Sequence, residues 1–217
     1  MRGDAIPVKL LSMRLISNAD DGLCRALGLE RRHKSIGVIS TDCDDATYIA
    51  LDEATKAANV EVVYARSLYA GASNATTKLA GEVIGILGGE NPSEVRSGLS
   101  AAAAALRNVC FQTANNAGDI VYLAHCVSRT GSYLSRIAHI PAGQALAYLI
   151  APPVEAMVGL DAALKASDVT LTEFFAPPSE TNFAGGLLTG TQSACRAACD
   201  AFAAAVWDVA ERPMEPH

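Results

Sequence analysis

The chain has 217 residues, half of them apolar and 18% charged, enough to bury one large core or two small ones in a globular protein. Seventeen basic against twenty-three acidic side chains give a net charge of -6 with no Lys/Arg cluster, which argues against nucleic acid as a partner. The longest apolar stretch, Ala145 to Ile150, runs into Pro152-Pro153 far short of a membrane span, and the N-terminus has no signal-peptide pattern, so a cytoplasmic protein with no membrane partner is expected.

The spacing predicts an apolar strand over 8–17, a short helix over 20–27, a strand over 35–40 and a helix over 45–58. A β-rich stretch follows over 60–66, then a polar loop over 67–80, a strand over 82–87 and an Ala-rich helix opened by Asn91-Pro92-Ser93. The same series then returns. Strands over 120–128 and 145–150 flank a short helix over 131–138, and a helix over 154–166 leads to a β-rich stretch over 169–175. A loop over 176–184, a strand over 186–189 and a helix opened by Thr191-Gln192-Ser193 close the chain.

This return is a duplication. Leu51 to Val60 aligns with Leu160 to Val169 at a constant offset of 109, with six identities in ten. Leu15-Ile16-Ser17 through Leu23 falls on Cys126-Val127-Ser128 through Leu134 at an offset of 111, and Ala80-Gly81 on Ala184-Gly185 at 104. Offsets that drift only within Gly/Pro/Ser-rich stretches are what loop-length differences produce. The reading is two small α/β domains, 1–114 and 115–217.

Chemistry is sparse. Asp42-Cys43-Asp44-Asp45 follows a strand and opens a helix, where a carboxylate caps the helix and meets its dipole. Three carboxylates in four residues exceed what capping requires, and they serve either as caps alone or as a site for an amine or metal. A phosphatase reading of Asp-x-Asp is disfavoured by Ala46, where Thr or Val would be needed. Cys195 and Cys199 share a helix face but lack a third ligand at metal spacing, so no metal is expected there. His125 and Cys126 point to opposite faces of a strand and cannot act together. The six cysteines follow no disulfide-framework spacing and read as free thiols. No nucleophile elbow, phosphate loop or dinucleotide fingerprint is present, so neither catalysis nor a cofactor is expected.

Several segments together carry a resemblance. Ser35-Ile36-Gly37-Val38-Ile39, a helix, Lys56-Ala57-Ala58-Asn59-Val60 and then Gly81-Glu82-Val83 resemble the bacterial-microcompartment shell domain. The strand that usually ends that domain comes first here, at 8–17 and again at 120–128, which is the circularly permuted form. With Ala124-His125-Cys126-Val127-Ser128-Arg129-Thr130-Gly131, Ala151-Pro152-Pro153 and Pro178-Ser179-Glu180-Thr181-Asn182-Phe183, the chain is similar to tandem, permuted shell subunits of ethanolamine-utilisation compartments. The resemblance implies two tandem permuted domains, each a mostly antiparallel sheet with helices packed on it. It further implies a homotrimer that mimics a hexamer, tiles edge to edge with other shell proteins in the compartment shell, and carries a gated central pore.

Expected roles follow. Asp44, Asp45 and Glu82 form an acidic channel for a small ammonium compound such as ethanolamine, with Phe111 and Phe183 as apolar wall and Thr181 and Asn182 as orienting groups. Phe111 and Phe183 also fit plain core or interface positions. The loop holding Ser67, Tyr69, Gly71, Asn74 and Thr77 is rich in small residues. Its counterpart, holding Glu180 and Phe183, is stiffened by two prolines, and the unequal pair suits a gate. Lys56 and Lys165, at matching repeat positions, complement helix ends, and the resemblance places such lysines at the tile edge. The alternative function is a small-amine-binding regulatory or sensor oligomer of the same duplicated fold.

Overall fold

The computed structural model describes residues 1–67, 83–177 and 183–214. Its elements run β1 (Ala5–Pro7), β2 (Leu10–Ile16), α1 (Asp21–Ala26), β3 (Ser35–Thr41), α2 (Asp44–Ala57), β4 (Val60–Ser67), β5 (Val83–Gly89) and α3 (Pro92–Ala105). They continue β6 (Cys110–Thr113), β7 (Val121–Val127), α4 (Ser132–Ile137), β8 (Ala145–Ala151), α5 (Pro153–Ala166), β9 (Val169–Phe175), β10 (Ala184–Gly190) and α6 (Gln192–Glu211).

One antiparallel sheet has the order β2-β3-β5-β4, and the other the order β1-β6-β7-β8-β10-β9. Its last four strands repeat the order of the first sheet, element for element, so the duplication read from sequence is a duplication of topology. Register fixes the correspondence: Thr41 pairs with Val83, Ala151 with Ala184, and seven pairs run through each ladder to Ser35–Gly89 and Ala145–Gly190. Val83 and Ala184, 101 positions apart, are therefore equivalent, which corrects the offset of 104 taken from Ala80-Gly81. A two-residue identity carries less than a hydrogen-bonded register.

The two compact units interleave along the chain. One comprises 8–109 with 131–134, and the other 1–7, 110–130 and 135–217. Both short strands that sequence patterning missed, β1 and β6, belong to the second unit, where β1 pairs with β6 and β6 with β7. Three or four residues are too few to show alternation. The sequence partition at residue 115 therefore differs from the contact units at both ends of the first copy.

In the first unit, α2 and α3 cover one face of the sheet, over a core that includes Ile39, Leu51, Leu87, Val95 and Leu99. In the second, α5 and α6 do the same, and Tyr122, Leu149, Leu160, Phe202 and Val206 lie within a single apolar cluster. β8 is buried at all seven positions, as a central strand covered on both faces must be. Caps set the helix starts as the sequence predicts: Asn91 accepts from Glu94 N at 3.0 Å with Pro92 at the first position, and Thr191 accepts from Ala194 N at 3.1 Å.

Candidate functional site

The acidic segment sits where β3 ends and α2 begins. Thr41 and Thr47 hydroxyls lie 2.6 Å apart and both reach the Cys43 carbonyl, at 2.9 and 2.8 Å, pinning the strand-to-helix turn. Asp42 turns back to accept from Lys9 N at 2.8 Å. Cys43 takes the N-cap position without a side-chain cap bond, and Asp44 and Asp45 fill the first turn, Asp44 Oδ1 accepting from Asp45 N at 2.9 Å. The N-cap position itself is therefore held by Cys43 and not by a carboxylate. All three carboxylates are buried, and Asp44 and Asp45 lie at the positive end of the helix dipole. Burial first, and then the Asp45 and Asp44 carboxylates, push the Cys43 thiol well above its ordinary range. Acceptor-only groups at one buried turn suit a donor-only ligand, which is what an ammonium is.

In the second unit Phe111 on β6 and Phe183, just before β10, have ring centroids 5.7 Å apart at 52°. This lies within the range of favourable aromatic pairs. Glu82, Thr181 and Asn182 lie outside the described residues, as do Tyr69, Gly71, Asn74, Thr77 and Glu180 of the two loops. Ser67, the last residue of β4, is described, and its buried hydroxyl has no hydrogen-bond partner among the described residues.

The two repeat lysines differ. Lys56 has a side chain only 17% exposed, bonds Glu53 and lies 3.7 Å from Asp52 Oδ2. Lys165, 75% exposed, pairs with Asp161 at 2.6 Å. Asp52 is a residue the sequence reading passed over. Fully buried, it accepts from the backbone N–H of Gly131 at 2.7 Å and of Leu134 at 2.8 Å. Burial raises its pKa, while those two hydrogen bonds and Lys56 lower it. Its identity with Asp161 across the repeat was the available signal.

All six cysteines are free, and Cys195 and Cys199 are buried. Among the described residues no group of His, Cys, Asp and Glu is arranged to hold a metal, and no helix is long and apolar enough to cross a membrane.

Comparison with known proteins places this arrangement. The BMC domain family model matches residues 35–116. The chain is 63% identical to the bacterial microcompartment shell protein EutL of Clostridium perfringens over 215 residues, 99% of each chain. To EutL of Salmonella typhimurium it is 53% identical over 213 residues, 98% of this chain and 97% of the relative. The crystal structure of the ethanolamine utilization protein EutL from Leptotrichia buccalis, 59% identical and matched over 100% of both chains, superposes with a TM-score of 0.95. This chain, a tandem of two permuted BMC domains, therefore belongs to the EutL family of bacterial microcompartment shell proteins, which is structural and not catalytic.

Proposed function

We propose that this chain forms a gated tile in the shell of an ethanolamine-utilisation microcompartment. Three chains, each contributing two copies of the domain, make a pseudohexameric ring around a central pore, and rings meet edge to edge with other shell proteins. The carrying observation is the likeness to EutL over essentially the whole chain, together with a strand order repeated in full by the second copy. The repeat is proposed to divide at 1–114 and 115–217, with β1 and β6 joining the second sheet across that division.

The gate is assigned to the two loops of unequal composition, 67–80 and 176–184. Asp44 and Asp45, with Glu82 beside β5 in sequence, are proposed to bind the ammonium of a small amine such as ethanolamine. Phe111 and Phe183, with Thr181 and Asn182 near them in sequence, are proposed as its apolar and hydrogen-bonding contacts. Support comes, for the carboxylates, from the burial of Asp44 and Asp45 at one turn and, separately within the other unit, from the close Phe111–Phe183 pair.

Sedimentation velocity and electron microscopy test the assembly. Trimers that grow into extended sheets are expected. Dispersed oligomers under all conditions would favour the amine-sensor reading. Calorimetric titration with ethanolamine tests the ligand: parent protein should bind, and an Asp45→Ala, Glu82→Ala variant that binds as well as the parent would remove the assignment.

A further inference from the structure

Three of the six thiols meet at one junction of the second unit. Cys126, half-buried on β7, packs against the apolar cluster that contains the buried Cys195 and Cys199 of α6. It donates to the Gln192 carbonyl oxygen at 3.9 Å, and the Arg196 guanidinium hydrogen-bonds its sulfur. Gln192, Cys195, Arg196 and Cys199 are the i, i+3, i+4 and i+7 positions of one helix face, so Cys126 sits over the patch that this face presents to β7. A charge on Cys126 raises the pKa of Cys195 and of Cys199, in each case second only to burial. The other thiols occupy three different elements: Cys24 lies on α1, Cys43 caps α2 and Cys110 opens β6.

Packing alone does not call for sulfur at this junction. Aligned on the helix caps Asn91 and Thr191, Cys195 and Cys199 match Val95 and Leu99, 100 positions earlier, and Cys126 matches Leu15 at the offset of 111. The first copy thus fills the same place with three aliphatic side chains, of which Val95 and Leu99 are buried. In the second copy strand and helix also come close together. Ala124, Ala147 and Ala198 belong to the same cluster, and the Cys126 thiol reaches the helix backbone itself, which suits the short span of a disulfide. The two helix thiols differ in aim. Cys195 donates to the Leu188 carbonyl at 3.8 Å, on β10, whereas Cys199 makes no hydrogen bond among the described residues.

We propose that Cys126 and Cys199 form a redox-active dithiol that a small-molecule disulfide oxidises to an intrachain disulfide. Cys126 is the attacking thiol because it alone of the three reaches solvent. Burial raises its pKa, and the Arg196 guanidinium opposes that rise by charge and hydrogen bond. Its thiolate attacks one sulfur of the small disulfide, the S–S bond breaks, and the far half leaves as a thiolate that takes up the proton Cys126 lost. Cys199 then displaces the second half from Cys126 and passes its own proton to the departing sulfur. The protein loses two electrons and two protons, and the small disulfide becomes two thiols. The bond ties β7 to α6 in one copy only, since the aliphatic junction of the other has nothing to oxidise. The proposal does not depend on the gated tile.

Peptide mapping of the full chain tests it. The reduced protein is incubated with oxidised glutathione at pH 8, the remaining thiols are alkylated in denaturant, and peptides are read without reduction. The parent should yield a peptide pair joined through Cys126 and Cys199, in a chain that stays single on a denaturing gel, and dithiothreitol should release it. Cys199→Ala should stop at a Cys126–glutathione adduct, Cys126→Ala should leave Cys195 and Cys199 reduced, and Cys195→Ala should form the bond as the parent does. A parent that stops at the glutathione adduct, joins Cys126 to Cys195, or keeps Cys126 and Cys199 reduced throughout overturns the assignment. These three outcomes are read on the parent alone, so a variant that fails to fold does not shelter it.

Discussion

A Cβ built on Gly159 of α5 would lie 2.6 Å from Cδ2 and 2.7 Å from Cε2 of Phe202 on α6, so the glycine makes room for a ring that is itself fully buried. At the matching positions of the first copy stand Ala50 and Ala102, both fully buried. The two copies divide side-chain volume differently between paired helices, with glycine against phenylalanine in one and alanine against alanine in the other. Gly159→Ala should gain up to about 1 kcal/mol of helix propensity and lose about 1–3 kcal/mol to overpacking. A lowered urea midpoint is expected, with partial recovery on adding Phe202→Leu, and a midpoint at or above the parent's would show that the ring can move.

Asp52 and Asp161 are identical residues at one repeat position with unequal consequences. Asp52→Ala strips two buried amides of their acceptor and should destabilise by about 2–4 kcal/mol. Asp161→Ala removes an exposed ion pair and should change stability by less than about 1 kcal/mol. Hydrogen exchange localises the difference: the Gly131 and Leu134 amides should exchange faster in the first variant and at the parental rate in the second.

Burial raises the Asp52 pKa above its ordinary 3.8, so the folded chain holds that proton more tightly than the unfolded one. Its contribution to stability is therefore fullest below 3.8 and is lost as pH climbs through the raised folded value. A carbon-detected titration of the Asp52 carboxyl should give a midpoint above 3.8. The urea-midpoint advantage of the parent over Asp52→Asn should shrink across the same window, and a midpoint below 3.8 would reverse the sign.

Thiol reactivity should follow burial. Cys43 is raised by burial and then by Asp45 and Asp44, and Cys199 by burial and then by Cys126 and Cys195. Since the thiolate is the nucleophile, both should resist iodoacetamide at pH 8 in the folded protein and react fully in denaturant, as read by peptide mass. Labelling of Cys43 at the rate of a free thiol would contradict its burial.

The duplication was legible because six identities in ten survive between Leu51–Val60 and Leu160–Val169, and both caps, Asn91 and Thr191, stood in plain view. The strands β1 and β6 were not, because three or four residues carry no period and β1 finds its partner β6 more than a hundred positions along the chain, Ala5 against Gln112. The acidic turn was found by composition, yet its detail was not: Cys43 takes the cap, and Asp42 is spent on Lys9 N. Asp52 escaped notice because a carboxylate on a helix reads as solvated until the segment that buries it, 79 and 82 residues downstream, is in place.

The repeat lysines are now separable as tests of tiling. Lys56 lies largely within the protein beside Asp52 and Glu53, so Lys56→Glu would set a third carboxylate against a buried one and should lower the melting temperature whatever its part in assembly. Lys165 reaches into solvent with Asp161 beside it, and exposed pairs of this kind contribute about 0–1 kcal/mol. Lys165→Glu should therefore melt within a few degrees of the parent while reversing a charge on the surface. If this lysine lies at the tile edge, electron microscopy of the variant will show single rings where the parent forms sheets. Sheets of parental extent from a variant of parental stability would take Lys165 out of the edge and leave tiling to other residues.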